Sequence, residues 1–263
     1  MYNKGFELTT QFKWFTKDAF KWSTSFNVST LKNKVTHLVG LGSEFSVAQN
    51  ALAQKVGYST STIWGVRYAG IDPATGRELI QNNGQTYDAA TYNSLFGKSD
   101  WVPIGDRQPS AFGGFNNSMS YKNISLSIRG SFQIGGQFLV QDDLISKYNI
   151  SSNRNLSVNA YDYWRQQGDN ALHPLVTSNN PILPNLSKFL YDDTYLKISN
   201  ININYNVPLQ NVKFIDALSL FIDVSNVVYW YKDKSPKNRN GLREFKFTYP
   251  QARTISLGLN TKF

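Results

Sequence analysis

The chain has 263 residues, of which 41% are hydrophobic and 17% charged, and its mean hydropathy is −0.39. No stretch approaches the ~18 apolar residues of a membrane-spanning helix, and the absence of cysteine excludes disulfides, thiolate metal sites and a cysteine nucleophile. The net charge of +9 comes from Lys and Arg spread along the chain, without the module or basic helix of a nucleic-acid-binding protein. The densest basic cluster, from Lys232 to Lys246, favours lipopolysaccharide phosphates or an acidic ligand as partners.

The first thirty residues have the pattern of a hairpin of two long strands. Apolar side chains recur at every second position from Phe6 to Trp14 and again from Phe20 to Val28, on either side of a turn at Lys17-Asp18. The aromatic residues near this turn occupy the positions of a membrane-interface girdle.

The next segment alternates less regularly. It predicts, in chain order, a short helix around Ala48–Lys55, a strand from Tyr58 to Tyr68, a turn at Asp72–Gly76, a strand at Glu78–Gln81 and a loop from Asn82 to Gln108.

The second half of the chain contains the clearest hairpin. The strands Phe115–Tyr121 and Ile124–Ile134 flank a turn at Lys122-Asn123. A long polar insertion from about Val140 to Asp193 follows, with a helix predicted around Asn159–Gln167. Further strands are predicted at Tyr195–Val207 and Leu218–Val224, joined by a turn at Pro208–Asn211.

The last strand alternates most strictly. Ile255, Leu257, Leu259 and Phe263 lie on one face, and polar side chains such as Ser256 lie on the other. Its length of about ten residues is that of a tilted strand crossing a bilayer.

Together these segments predict about nine antiparallel strands with short turns at one end and long loops at the other. This asymmetry is typical of a transmembrane β-barrel. A soluble β-sandwich remains the alternative, but it predicts strands of about five or six residues and loops of similar length at both ends. The odd number of strands argues against a small self-contained barrel. The start of the chain lacks a signal peptide, so we expect residues 1–263 to be the C-terminal segment of a longer barrel protein.

Several motifs, in this order and spacing, resemble the C-terminal part of the SusC/RagA family of TonB-dependent outer-membrane transporters of Bacteroidota. They are Gly70–Gly76, Ile104–Pro109, Gly114–Asn117, Tyr121–Asn123, Trp164-Arg165 with Gly168-Asp169 and Pro174, Asp193–Ile201, Tyr249–Thr254 and the terminal Phe263.

The resemblance implies an all-β, antiparallel transmembrane barrel of about 22 strands around a plug, located in the outer membrane. It implies uptake of glycans or peptides together with a SusD-like surface lipoprotein, energised by the TonB complex through a plug that lies outside this chain. The alternative function is that of a SusC-like scaffold in an envelope complex, without transport.

The chain departs from the family pattern in two places. Gln166-Gln167 stands where the family often has a proline, and Val227–Tyr231 lacks the Leu-Phe-Thr run that is common after Asn226. These departures affect the expected ligand class rather than the fold.

The sequence contains no catalytic, phosphate-binding or zinc motif, so we expect neither an enzyme nor a cofactor nor a metal site. His37 and His173 lie far apart, and the acidic pairs Asp142-Asp143 and Asp192-Asp193 are typical of solvated loops, with a calcium site as the alternative.

Aromatic residues in the outer loops are the candidate ligand-binding residues, because their rings can stack on a sugar face or hold a peptide. The alternative is that they pack a loop or belong to the interface girdle. They are Trp101, Tyr163, Trp164, Tyr229 and Trp230.

The terminal strand has a second predicted role. A last strand that alternates and ends in an aromatic carboxylate resembles the signal that the outer-membrane assembly machinery reads. Its residues are Ile255, Leu257, Leu259 and Phe263.

Overall fold

The structure is a computed structural model that describes residues 1–17, 19–38, 45–46, 54–140, 162–176, 183, 185–209, 214–233 and 252–263. The chain forms two compact units. The sheet unit comprises Lys4–Leu31, Pro109–Gly135 and Asp193–Phe263, and the loop unit comprises Met1–Asn3, Lys32–Gln108 and Gly136–Asp192. Among the described residues, no helix has the length and apolarity needed to cross a membrane.

The secondary structure consists almost entirely of strands. In chain order they are β1 (Tyr2–Lys17), β2 (Phe20–Lys34), β3 (Phe45–Ser46), β4 (Gln54–Lys55), β5 (Thr62–Gly65), β6 (Arg67–Ile71), β7 (Glu78–Asn82), β8 (Gln85–Asp88), β9 (Val102–Asp106), β10 (Pro109–Tyr121), β11 (Ile124–Gly135), β12 (Gln137–Leu139), β13 (Leu190–Asp192), β14 (Tyr195–Val207), β15 (Ala217–Tyr231) and β16 (Thr254–Lys262). Helix α1 spans Ala89–Leu95, and 3-10 turns span Lys98–Asp100 and Ser187–Phe189.

The sheet unit is built on one antiparallel sheet in which the long strands are ordered β1-β2-β10-β11-β14-β15-β16. Side chains that lie opposite each other on neighbouring strands share a face of the sheet. The register therefore separates an apolar face from a polar face. One row on the apolar face is Trp22, Met119, Leu126, Ile203, Ile222 and Leu257, and the adjacent row on the polar face is Ser23, Ser118, Ser127, Asn202, Asp223 and Ser256.

The alternation predicted from the sequence thus appears as two continuous surfaces. The hairpin turn at Lys122-Asn123 is confirmed, with Lys122 in the left-handed region at φ 50°. β14 carries a bulge beside Gly130, between Ile198 and Asn200. The antiparallel all-β fold predicted from the sequence is confirmed.

The loop unit contains short strands around its own core. β5 pairs with β9, β6–β8 form a meander, and β12 pairs with β13. The core of this unit comprises Trp64, Val66, Ile80, Ala89, Tyr92, Trp101, Leu183, Leu186 and Phe189. Helix α1 begins where the carboxylate of Asp88 accepts hydrogen bonds from the backbone N–H groups of Ala90 and Thr91, as an N-cap does.

Several local predictions were wrong, and all of them fall in the loop unit. The predicted strands at Tyr58–Tyr68 and Glu78–Gln81 correspond to β5–β7, which lie outside the long sheet, so that sheet has seven strands among the described residues rather than about nine. The turn at Asp72–Gly76 exists, with the Gly76 N–H donating to the Asp72 carbonyl, but it joins β6 to β7 and not two barrel strands.

The segment predicted to be a loop, Asn82–Gln108, instead contains β8, α1 and β9. Of the predicted helix at Asn159–Gln167, residues 162–167 are not helical, and 159–161 lie outside the described residues. Of Ala48–Lys55, residues 54–55 form β4, and the rest lies outside the described residues. Short segments of this kind take their structure from packing partners distant in sequence, which local patterns do not report.

Candidate functional site

The polar face of the sheet is the candidate functional surface. Serine and asparagine side chains cover it across β10, β11 and β14, and they hydrogen-bond to one another. Ser127 Oγ donates to Asn116 Oδ1 at 3.1 Å, and Asn116 Nδ2 donates to Ser118 Oγ at 3.2 Å. Such amide and hydroxyl groups both donate and accept, so the surface can bind a ligand rich in polar groups.

Asp223 on β15 is the centre of a second polar network. Asn200 Nδ2 donates to both carboxylate oxygens of Asp223, at 2.9 and 2.8 Å, and Asn202 Nδ2 adds a contact at 3.3 Å. Ser225 Oγ lies 3.2 Å from the same carboxylate. These neutral donors come from β14 and β15, and they hold the negative charge of Asp223 within the surface.

An open depression of about 610 Å³ lies on the polar side of β1, β2, β10 and β11. Two cations, Lys13 and Lys21, line it together with polar residues that include Gln11, Ser118, Ser127 and Asn202. The depression therefore offers hydrogen-bonding groups and positive charge together.

A tyrosine cluster lies where the start of β14 pairs with the end of β15. Tyr229 and Tyr231 stack with ring centroids 5.8 Å apart, and Tyr195 lies opposite Tyr231 with its ring 6.4 Å away. The Lys197 ammonium lies 4.7 Å from the centre of the Tyr229 ring, within the range of a cation–π contact. The register places this tyrosine cluster on the polar face, in line with Ser131 and Gln133 of β11.

The two tryptophans predicted to bind ligand in the loops are buried, each only 9% exposed. Trp101 belongs to the core of the loop unit. The Trp164 indole Nε1 donates to the Pro73 carbonyl at 3.0 Å, and its ring covers Gly76. Their positions correspond to the packing alternative stated from the sequence, because neither ring face is open to a ligand.

The other three predicted ligand-binding residues are more accessible, but the structure does not bring them together. Tyr163 lies in the loop unit beneath the Arg165 guanidinium, 4.8 Å from its ring centre. Tyr229 belongs to the tyrosine cluster on the polar face. Trp230, as its neighbour in a strand, lies on the apolar face and is 50% exposed, which matches the girdle alternative.

The four residues of the predicted assembly signal lie at or beyond the edge strand β16. Ile255, Leu257 and Leu259 continue the apolar face next to Val224, Ile222 and Leu220, and all three are exposed. Phe263 follows the strand and is 82% exposed. Their role in assembly stays a prediction.

Sequence reasoning missed Tyr195, Lys197, Tyr231 and Arg129 as candidate ligand-binding residues. The alternating motifs Tyr195-Leu-Lys197 and Tyr229-Trp-Tyr231 signal a shared face within each strand, but the bulge in β14 and the strand register decide which face it is. In the part of the chain that the structure describes, no group of three or more His, Asp or Glu side chains is placed to hold a metal ion. The acidic pair Asp142-Asp143 lies outside the described residues.

Among its described residues, the loop unit contains a buried ion pair. Lys188 Nζ contacts Glu78 Oε1, and both side chains are about 5% exposed or less. The ammonium also lies 4.8 Å from the Tyr68 ring centre. Burial, together with the carboxylates of Glu78 and Asp162, raises the pKa of Tyr68 to about 12, so its hydroxyl stays protonated at neutral pH. These contacts fix the 3-10 turn at Ser187–Phe189 against β6 and β7.

Comparison with known proteins finds relatives that match 99% of the length of this chain. No family model matches it. The chain is 25% identical to TonB-dependent receptor P3 of Formosa agariphila over 99% of its own length and 28% of that protein. It is 24% identical to TonB-dependent receptor SusC of Bacteroides thetaiotaomicron over 99% of its own length and 26% of that protein.

Solved structures give the same result for the fold. The RagAB peptide transporter matches with a TM-score of 0.80 at 19% identity, covering 99% of this chain and 29% of that one. The RagAB peptide importer in its open-open state matches with a TM-score of 0.78. These findings confirm the resemblance to SusC/RagA-type TonB-dependent transporters. The chain spans less than a third of the length of the relatives it matches.

Proposed function

We propose, on the premise of this SusC/RagA-type resemblance, that the chain forms the C-terminal part of an outer-membrane barrel that imports glycans or peptides. The observation that carries the proposal is the two-faced sheet. Its apolar face runs from Trp22 on β2 to Leu257 on β16 and exposes Ile203, Ile222 and Leu257, while its polar face is lined with Ser and Asn. The similarity to TonB-dependent receptors supports the same proposal.

The apolar face suits contact with lipid. Except for β16, with 9 residues, the strands of the long sheet have 12 to 16 residues. All seven thus reach the roughly 9–11 residues that a tilted strand needs to cross the hydrocarbon core. The backbone polar groups of the five interior strands are paired with a neighbouring strand on each side, as a membrane-embedded strand requires. In this arrangement, Trp230 lies in the interface girdle.

The polar face would line the barrel interior, where a ligand passes. We propose that a SusD-like surface lipoprotein delivers the ligand and that the TonB complex supplies energy through a plug outside this chain. We propose further that the outer-membrane assembly machinery reads the exposed apolar residues of β16, Ile255, Leu257 and Leu259, together with Phe263, before insertion.

A growth experiment tests the proposal. The gene that encodes this chain is deleted, and growth is measured on single glycans and on peptide mixtures, with the intact gene restored as the control. Loss of growth on at least one nutrient, recovered on restoration, supports import. Unchanged uptake of every nutrient, combined with disturbed assembly of surface proteins, would refute import and favour the scaffold alternative.

A further inference from the structure

We infer that the polar face of the sheet carries a subsite for the anionic group of an acidic oligosaccharide, formed by Lys197 of β14 and Arg129 of β11. The inference rests on the proposed import function, and it adds a ligand charge and two residues that bind it.

The register places the two cations side by side. Arg129 and Ser131 are two positions apart on β11, so their side chains share a face. Lys197 lies opposite Ser131 and therefore lies on that face as well, diagonal to Arg129. Diagonal side chains on neighbouring strands start about 7–8 Å apart. An ammonium and a guanidinium at that spacing can both reach one carboxylate or sulfate.

Neither cation forms a direct ion pair within the part of the chain that the structure describes. No carboxylate there lies within 4.0 Å of the Lys197 ammonium or the Arg129 guanidinium. Asp223 on this face accepts hydrogen bonds from Asn200, Asn202 and Ser225, and its charge interacts with that of Arg129 without direct contact. A second carboxylate, that of Asp193, accepts a hydrogen bond from Gln133 Nε2 at 2.9 Å. Two neighbouring cations that form no direct ion pair with a described carboxylate keep N–H groups available to an anion.

The tyrosine cluster positions Lys197. Its ammonium lies 4.7 Å from the Tyr229 ring centre, and Tyr229 is fixed by stacking on Tyr231 and by its hydroxyl, which donates to Asn226 Oδ1 at 3.1 Å. A cation–π contact restrains the long side chain but leaves ammonium N–H groups free to donate to a ligand. Restraint of this kind lowers the entropy lost on binding.

The surroundings favour a sugar over a peptide. One common way to bind an extended peptide is to pair its main chain with a sheet edge. These residues instead lie on the face of interior strands whose main-chain groups are already paired, so this way is closed here. A sugar ring instead requires side-chain hydroxyls, amides and aromatic rings. The site provides the Ser131 hydroxyl, the Tyr195 ring and the amide oxygen of Gln133, whose Nε2 donates to Asp193.

The test uses the complete transporter that contains this chain, purified in detergent, and isothermal titration calorimetry. The probes are tetragalacturonate as the acidic oligosaccharide, maltotetraose as the neutral one and tetraglutamate as the acidic peptide. The variants are Lys197→Gln and Arg129→Gln. Lys262→Gln is the matched control, because it removes one positive charge from the same face at the far end of β16.

We expect Lys197→Gln and Arg129→Gln each to weaken tetragalacturonate binding about tenfold or more, the usual effect of losing a charged hydrogen bond. Lys262→Gln should change it less than twofold. The inference is overturned if both variants bind as the wild type does, if maltotetraose loses affinity equally, if tetraglutamate is the only probe bound, or if the wild type does not bind tetragalacturonate. Any of these results, obtained while gene deletion still abolishes uptake of a nutrient, removes the inference and leaves the import function standing.

Discussion

The buried ion pair between Lys188 and Glu78 gives the sharpest test of how the loop unit is held together. Replacing Lys188 with Met keeps a long apolar side chain in place but removes the ammonium that contacts Glu78 Oε1. The Glu78 carboxylate then remains buried without its cation. The cost of leaving this charge buried, rather than the lost attraction, determines how strongly the substitution destabilises the loop unit.

The expected cost is about 3–5 kcal/mol, the range for removing one partner of a buried pair. Both side chains are about 5% exposed or less, so solvent screens the charge little. Lys188 also contributes the cation–π contacts to Tyr68 and Phe189, which Met replaces only in part. Since about 1.4 kcal/mol is a factor of ten, the equilibrium constant for opening of this region should rise by roughly two to four orders of magnitude.

Hydrogen exchange measured by mass spectrometry on the complete protein checks this value. The relevant amides are those of Val66, Tyr68 and Ser187, because Val66 N–H donates to the Asn185 carbonyl, Ser187 N–H to the Val66 carbonyl, and Tyr68 N–H to Ser187 Oγ. Their protection should fall by about a hundredfold or more in the Lys188→Met variant. Amides of the long sheet should keep their protection.

Two further variants separate charge burial from ordinary truncation. The double variant Glu78→Leu with Lys188→Met has no buried charge, so most of the protection should return. Arg77→Ala removes the exposed ion pair with Asp88, whose side chains are 4.0 Å apart, and should cost ~1 kcal/mol or less. The reasoning is refuted if Lys188→Met loses no more protection than Arg77→Ala, or if the double variant is as unstable as the single one.

Three further results are expected from single substitutions. Gly130→Ala should lower the yield of folded protein on a heat-modifiability gel far more than Gly114→Ala, because a Cβ at residue 130 would meet the Phe115 ring and lie 2.7 Å from the Lys197 carbonyl oxygen; equal yields would contradict this. Asp88→Ala should destabilise α1 by about 1 kcal/mol while Asp88→Asn keeps the cap, measured as hydrogen exchange of residues 90–92. The Thr91 hydroxyl lowers the pKa of Asp88, so this contribution should be fully present above about pH 4 and be lost as the pH falls through the lowered pKa. Leu257→Asn should slow barrel insertion in a liposome assay, with Ser256→Asn on the opposite face as the control, and equal insertion rates would remove the assembly role.

The long sheet could be predicted from the sequence because the alternation of apolar and polar residues within each strand identifies the two faces of that strand. The residues from Ile124 to Ile134 alternate apolar with polar, and in the structure they form one strand with one apolar and one polar face. A period of two is a local property, set by the geometry of a single extended chain. This period can therefore be recognised in the sequence without knowledge of the neighbouring strands.

The loop unit could not be predicted in the same way. Trp164 looked like a ligand-binding aromatic in a polar loop, yet its indole is buried against Pro73 and Gly76, nearly a hundred positions earlier in the chain. Burial of this kind depends on which distant segments fold together, and short strands such as β5 take their conformation from that packing.

By itself the sequence determined the all-β class, the alternation of the long strands and the apolar character of Ile255, Leu257 and Leu259, because these follow from local periodicity. Only the tertiary structure decided the register. It assigned Tyr229 to the polar face and Trp230 to the apolar face, placed Lys197 beside Arg129 across the β14 bulge and buried Trp101 and Trp164. The physical reason is that a side chain's neighbours across a sheet or in a core are set by pairing between strands far apart in sequence, which no single segment encodes.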